Sequence, residues 1–343
     1  MTGVRLEQDS NRSFRRMRGW FLKCLRIRAS VQTVEIECCE IEKLDNLEIV
    51  IVIPAYNEAD SIKNVVIQAL SFTKLVIVVD DGSNDSTAGI AKRLGAIVIR
   101  HPENQGKAAA LNTGFQKARG FSPDVVIAMD GDGQHLCKDL YKVLAPVITD
   151  QVDMVVGSRY LQNTSNVSLS RKLGHHALNL ITRFLSGVAV DDSQNGYRAF
   201  SSLALKVMRF RSVGFSVESE MQFLAGKHHL RVRNVPITIQ YPHKPKRSAV
   251  KQGLSVLVGD LKLTMNYRPL LFWSVPGLIL FGSGMIGCIQ IAAVVNSGKN
   301  ISIGSAFIYR LFCDIGLVLM ATGYVHNLIN HLHTFLLLAE GES

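Results

Sequence analysis

Cysteine is scarce in this 343-residue chain, and none of its six cysteines falls in a CxxC pair. Cys24, Cys38, Cys39, Cys137, Cys288 and Cys313 therefore suit a reducing compartment. A P-loop is missing as well, because Gly106 and Lys107 stand in a GKA run without the GxxxxGK[ST] spacing. Aromatic residues amount to 7% and seldom interleave with the basic ones, although the net charge is +10. That charge concentrates in RRMRGWFLKCLRIR (15–28) and PHKPKRS (242–248). The distribution argues against nucleic acid and for anionic lipid or phosphate as the counterpart. Formal charge is absent altogether from residues 269–295, a stretch of 27 rich in Leu, Ile, Val and Gly. As a helix it reaches about 40 Å, enough to cross a lipid bilayer with tilt to spare. Its length excludes an ordinary core helix, and its position excludes a cleaved secretory signal.

The upstream part reads as alternating strands and helices. IVIVI (49–53), stopped by Pro54, and LVIVV (75–79), stopped by Asp80, Asp81 and Gly82, are short β-branched runs typical of buried parallel strands. Helical spacing follows in 61–70, 86–94 and 107–119, with Asp60 and Asp85 or Ser86 as N-caps. This β-α-β-α order predicts an open α/β sheet, in which ligands sit beyond the carboxyl ends of the strands. PAYNE (54–58), DDGSND (80–85) and DGDGQH (130–135) each follow a strand, so the three polar clusters share one rim. Asp130 and Asp132, at the exit of the apolar run 125–128, can turn toward one point. Two hard oxygen ligands with Gln134 nearby suit Mg2+ or Mn2+ that also holds phosphate oxygens, which points to departure of a diphosphate.

Six ordered blocks, PAYNE, VVDDGSNDST, HPENQGKAAALNTG, AMDGDGQH, VVGSRY and DSQNGYRAF, together resemble the family 2 glycosyltransferases with the GT-A fold. Within that family the likeness is to the dolichyl- and polyprenyl-phosphate sugar synthases, from about Ile49 to Tyr241 and loosely into the apolar tail. The resemblance implies an α/β GT-A nucleotide-sugar-binding domain, a mostly parallel open sheet, and the apolar stretches after it read as a C-terminal two-helix transmembrane hairpin. It places Pro54, Ala55 and Tyr56 along the nucleotide base, Glu58 on ribose hydroxyls and Asp80 with Asp81 at the base edge. Gly82, Gly106, Lys107, Asp130 and Gly131 complete the implied nucleotide-sugar site. Elementary chemistry supports several of these roles. Carboxylates accept from such donors. Gly82 permits close backbone approach or a positive φ, and Gly106 with Lys107 opens a helix whose amides and ammonium favour an anion. Lys107 reads equally as a solvated lysine, while turn formation is the lesser reading of Asp80 and Asp81.

Positive charge recurs beyond the metal motif. Arg159 in GSRY, Arg171 beside Lys172, and Arg198 in NGYRAF offer donor forks for an acceptor phosphate. Arg198 is the first choice, whereas Arg171 also reads as the polar face of a helix. Glu218 and Glu220 in FSVESEM head a further helix, capping it or facing the sugar, with Glu220 preferred for the site. Asp191 or Asp192 can act as a base or simply form a turn.

The chain divides into a basic N-terminal extension (1–47), the glycosyltransferase domain (48–243), a basic juxtamembrane amphipathic segment (244–268) and a hairpin (269–338). The second span falls within 305–328 after a loop at 296–304, with Arg310 and Asp314 spaced to neutralise each other. Val250, Leu254, Leu257, Leu261 and Met265 form an apolar stripe, either on the membrane surface or against the catalytic domain. Lys244, Lys246, Arg247, Lys251, Lys262 and Arg268 precede the first span, while the hairpin loop has only Lys299. Positive-inside bias thus puts the catalytic domain of an integral membrane protein in the cytoplasm.

The expected reaction is inverting, metal-dependent transfer of a hexose from a UDP- or GDP-sugar to dolichyl or polyprenyl phosphate. A catalytically silent membrane nucleotide-binding scaffold is the non-enzyme alternative. A processive polysaccharide synthase is disfavoured by the missing QxxRW signature and by too few spans for a pore. The sequence leaves the sugar, the base, the lipid length and the oligomeric state open, a homo-oligomer included.

Overall fold

A computed structural model describes residues 47–135, 139–149, 152–161, 169–212, 216–238, 249–298 and 302–341, with the backbone alone at 169–173, 175, 249–252 and 333–341. The N-terminal extension with its 15–28 stretch, the 242–248 run, Lys299, and Cys24, Cys38, Cys39 and Cys137 lie outside the described residues.

The elements are β1 (Ile49–Ala55), α1 (Ala59–Leu70), β2 (Leu75–Asp80), α2 (Thr87–Arg93), β3 (Ile97–Arg100), α3 (Lys107–Arg119), β4 (Val125–Ala128) and α4 (Leu140–Thr149). There follow β5 (Met154–Ser158), α5 (Leu169–Ser186), β6 (Arg198–Ser201), α6 (Ser202–Val207), α7 (Val217–Lys227) and β7 (Val232–Pro236). The C-terminal part is α8 (Ala249–Tyr267), a π-helical turn Leu270–Ser274, α9 (Val275–Asn296) and α10 (Ile303–Gly341). The strands form one sheet in the order β3-β2-β1-β4-β6-β5-β7, parallel except at β6, which runs against both β4 and β5.

The β-branched runs form the centre of this sheet because helices cover both of its faces. Ile49, Ile51 and Ile53 pack with Ile62, Val66, Val143 and Leu144 on one side, while Val50 and Val52 pack with Leu111, Phe115 and Met221 on the other. Buried on both faces, such a strand has no polar alternation to show. Gly114 lets α3 lie close on β1, where a Cβ would collide with the Val52 side chain. Strand β1 runs two residues past its expected end at Ile53, through Pro54 to Ala55. Pairing with β4 has ended at Val52, so the missing N–H of Pro54 breaks no ladder on that side.

Two C-terminal helices are long and apolar enough to cross a membrane, Leu270–Asn296 and Ile303–Leu332. Small residues bring their backbones together: a Cβ at Gly277 would lie 2.8 Å from the Gly316 carbonyl oxygen, and one at Gly284 would lie 2.7 Å from that of Tyr309. Arg310 Nε stands 3.8 Å from Asp314 Oδ2. Helix α8 uses both of its sides. Val256, Asp260, Leu263 and Thr264 are buried, and the helix contacts α5 and α7. Leu254, Val258 and Leu261 remain exposed.

Candidate active site

Strands β2, β1 and β4 are neighbours and parallel, so their carboxyl ends deliver the three polar clusters to one rim. Side chains then tie the loops together. Asn57, at φ 54°, donates its N–H to Ser83 Oγ (2.9 Å) and accepts the Asn84 N–H on Oδ1 (2.9 Å). Asp85 accepts the N–H of both Ala59 (3.1 Å) and Thr87 (3.0 Å), so one carboxylate serves the starts of α1 and α2. The Ser61 hydroxyl lies 2.7 Å from the Gly131 carbonyl oxygen and 3.0 Å from Glu58 Oε2. A Cβ at Gly131 would stand 3.2 Å from that of Ala55, which explains the small residue where the metal motif passes the end of β1. Tyr56 is 43% exposed at this rim, and Glu58, two residues on, is half-buried.

Asp80 and Asp81 are buried and already engaged. Asp80 Oδ1 accepts the Ser83 N–H (3.2 Å), and Arg100 Nε lies 3.2 Å from Oδ2. Asp81 accepts the N–H groups of Gln105 (3.0 Å) and Gly106 (2.7 Å) and meets His101 Nδ1 at 2.7 Å. Asp81 thereby holds the loop that leads to Lys107. Gly82, at φ 73°, lies against that same loop, where a Cβ would be 2.5 Å from the Glu103 carbonyl carbon. Gly106, at φ 93°, makes the turn that begins α3.

The loop positions Lys107 between two carboxylates. Its Nζ lies 2.6 Å from Asp130 Oδ1 and 2.6 Å from Glu218 Oε1. Burial works against the ammonium, but Asp130 and Glu218 outweigh it and hold its pKa above the usual lysine range. Burial likewise opposes ionisation of Asp130, yet Lys107, with His135 beside it, keeps that carboxyl well below the ordinary range. Asp132 moves the other way, pushed up by burial and by the charge of Asp130. Its Oδ1 accepts the Gln134 N–H at 3.0 Å. Such crowding of two carboxylates is what a bound cation relieves. The described residues contain no group of three His, Cys, Asp or Glu suited to a metal. The chemistry of Asp130 and Asp132, two hard carboxylates held close together, would suit a divalent cation that took its other ligands from phosphate and water.

Other expected site residues are placed elsewhere. Arg198 is fully buried and spends Nε, Nη1 and Nη2 on the main-chain carbonyls of Asn195 (2.9 Å), Glu218 (2.9 Å) and Ser193 (2.8 Å). Burial pushes it down to about 10, against the neighbouring charges of Glu218, Asp192 and Asp130. It remains a cation at neutral pH and locks the 193–198 turn to α7 through these three main-chain carbonyls. Arg159 forms a fork with Asp192 (2.6 and 2.7 Å), which engages both the proposed phosphate ligand and one of the two proposed bases. Asp191 is exposed. The Arg171 side chain lies outside the described residues.

Glu220, preferred above, does not face the site. It accepts the N–H groups of Arg211 (2.9 Å) and Ser212 (2.9 Å) and the Tyr267 hydroxyl (2.8 Å). Glu218 takes its place at Lys107. Two further residues carried no expectation of a role. His135 packs on Tyr197 with ring centroids 4.8 Å apart and brings Nε2 to 3.6 Å from Asp130 Oδ2. At Gly196 a Cβ would lie 2.7 Å from both Asp130 Oδ2 and Lys107 Nζ, so only glycine leaves room for that pair. Both residues stand in blocks already singled out, but nothing local to either names Asp130 as its neighbour.

Residues 50–213 match the family model "Glycosyl transferase family 2". A UDP-N-acetylglucosamine–dolichyl-phosphate N-acetylglucosaminyltransferase of Methanococcus voltae is 37% identical over 234 residues, covering 62% of this chain and 91% of that protein. A polyprenol monophosphomannose synthase of Mycolicibacterium smegmatis is 30% identical over 203 residues, 55% of this chain and 76% of the relative. Among solved structures, glucosyl-3-phosphoglycerate synthase from Mycobacterium tuberculosis, in complex with Mn2+, UDP-glucose and phosphoglyceric acid, superposes with a TM-score of 0.53 at 19% identity. That match covers 68% of this chain and 86% of the other, and it is a likeness of fold.

Proposed function

Because the chain belongs to glycosyl transferase family 2, we propose that it transfers a hexose from a UDP- or GDP-sugar to dolichyl or polyprenyl phosphate, with inversion. The observation that carries this reading is the Lys107–Asp130–Glu218 cluster on the strand-end rim of a domain that continues into two apolar helices. The names of the relatives support the acceptor class. The catalytic domain is assigned to the cytoplasmic side, with both ends of the hairpin there, from the basic residues before the first span.

In this mechanism Tyr56, Pro54 and Ala55 line the base and Glu58 accepts from the ribose hydroxyls. Asp80 and Asp81 act through the loops they hold. Asp130 and Asp132 are the residues that would hold Mg2+ or Mn2+. Such an ion, when bound, supplies charge stabilisation for the departing diphosphate. Lys107 fixes Asp130 and adds positive charge at the same place, while His135 and the small Gly196 keep the Asp130 carboxylate in position. The acceptor phosphate is already an anion, so it needs alignment more than deprotonation, and preorganised charge contributes most of the rate. Arg171 is retained as an acceptor-phosphate ligand. A single displacement on an α-linked donor gives a β-linked lipid-phosphate sugar.

Membranes containing the protein, a panel of radiolabelled UDP- and GDP-sugars, polyprenyl phosphate and EDTA test the reading together. Chelator-sensitive label in the organic phase is the expected result. Nucleotide binding without any lipid product from the whole panel overturns it.

A further inference from the structure

A cavity of about 1110 Å3 lies between the catalytic domain and the hairpin, away from the Lys107–Asp130 cluster. Its walls come from α6 and the residues after it, from α7, from α8 and from the far end of the second apolar span. Five cations line it: Lys206, Arg209, Arg211, Lys227 and Lys262. Glu220 is the one carboxylate among the lining residues, and it is fully buried and taken up by the main-chain amides of Arg211 and Ser212 and by the Tyr267 hydroxyl. Among the described residues, none of the five cations has a carboxylate within ion-pair distance. The Ser212 hydroxyl, also in the wall, is buried and has no hydrogen-bond partner among the described residues. This places an excess of donors and of solvent-exposed positive charge around one hollow.

The position of the cavity says what can reach it. Arg268 and Leu270 mark the start of the first span, and Asn327, Asn330 and His331, which line the cavity, lie at the end of the second. The cavity therefore stands at the level where both helices leave the hydrocarbon, at headgroup depth. Leu254 and Val258 complete its wall from the exposed side of α8, at 61% and 45% exposure. The lining thus combines cations with exposed apolar side chains, the two requirements of a charged lipid.

We propose that this cavity binds the headgroup of an anionic membrane phospholipid, with its phosphate among Arg209, Arg211 and Lys262 and its chains passing Leu254 and Val258. The occupant is a bilayer lipid rather than the acceptor, because Lys107, Asp130 and Asp132 do not line the cavity and Glu218 and Glu220 face opposite sides of α7. The site requires no transfer activity, so it stands or falls independently of the proposed reaction.

The test uses the full chain in detergent, titrated separately with dioleoylphosphatidylglycerol, dioleoylphosphatidylcholine, a polyprenyl phosphate and inorganic phosphate, with bound species counted by native mass spectrometry. One phosphatidylglycerol should be retained in preference to phosphatidylcholine. The R209Q/K262Q variant should bind it about tenfold more weakly or worse, while the charge-matched K63Q/K92Q variant on the catalytic domain should bind it as the wild type does. Equal retention of the two phospholipids, or equal loss in both variants, overturns the proposal. So does displacement of phosphatidylglycerol by one equivalent of polyprenyl phosphate, which would make the cavity the acceptor's, or by millimolar phosphate, which would make it a site for a soluble anion. Unchanged near-ultraviolet circular dichroism of R209Q/K262Q shows that a loss of lipid is not a loss of fold.

Discussion

Glu218 and Glu220 sit two positions apart on α7, yet one reaches Lys107 Nζ at 2.6 Å and the other accepts the Tyr267 hydroxyl at 2.8 Å. Two residues on an α-helix differ by roughly 200° in direction, so a helix packed between the rim and α8 sends one carboxylate to each. The same short stretch thus meets the Lys107–Asp130 cluster on one side and α8 on the other.

The two glutamates should therefore separate activity from stability. Glu218→Gln keeps the shape but removes a charge from Lys107, and kcat for sugar transfer should fall by about 10- to 100-fold with the apparent Tm little changed. Glu220→Gln weakens charge-assisted bonds to buried amides, each worth about 1.5–3 kcal/mol, so its loss should appear as a lowered Tm in thermal unfolding. If Glu218→Gln lowered Tm as much as Glu220→Gln and left kcat intact, the division of roles would be wrong.

A single methyl group tests the crowding around Asp130. Gly196→Ala adds a Cβ where Asp130 Oδ2 and Lys107 Nζ lie 2.7 Å away. One of them must move, and a displacement near 1 Å can cost about 100-fold in rate. Transfer should drop by at least about tenfold, and the KM for the nucleotide-sugar should change less than kcat. A fully active Gly196→Ala would show that the pair has no fixed position to defend.

Much of this was legible in the sequence where the signal is local. The β-branched runs at 49–53 and 75–79 are strands, residues 107–119 are a helix, and the uncharged stretch after Pro269 is an apolar span. Each depends on the composition of its own segment. The antiparallel insertion of β6 between β4 and β5 is different, because it is decided by packing between distant segments. The contact of Lys107 with Glu218 spans 111 positions and leaves no mark on either neighbourhood. Arg198 misleads for a related reason: arginine suits phosphate by type, but here its donors are spent on three carbonyls that the sequence cannot place.

The metal assignment predicts a separable defect. Asp130→Asn and Asp132→Asn should each reduce transfer by about two to three orders of magnitude. Isothermal titration with Mn2+ in the presence of UDP should show weakened binding in both. Retained Mn2+ affinity with retained EDTA sensitivity in the double variant would locate the ion elsewhere.

Asp260 gives a stability test on α8, outside both apolar spans. It is fully buried, its Oδ2 lies 2.5 Å from the Thr182 hydroxyl, and Ser219 is beside it. Burial raises its carboxyl above the usual range in spite of these hydrogen bonds. A raised native pKa means that the folded state holds the proton more tightly than the unfolded chain, so stability is gained as pH falls through the native value and lost as pH rises through it. Above its unfolded value a buried carboxyl of raised pKa is a cost to folding that asparagine removes, while the amide oxygen can still accept from Thr182. Asp260→Asn should raise the apparent Tm at pH 7 by about 2–4 °C, and the gap should close as the pH approaches about 4, near the unfolded value. A difference that does not depend on pH would mean that packing, not charge, sets the effect of the substitution.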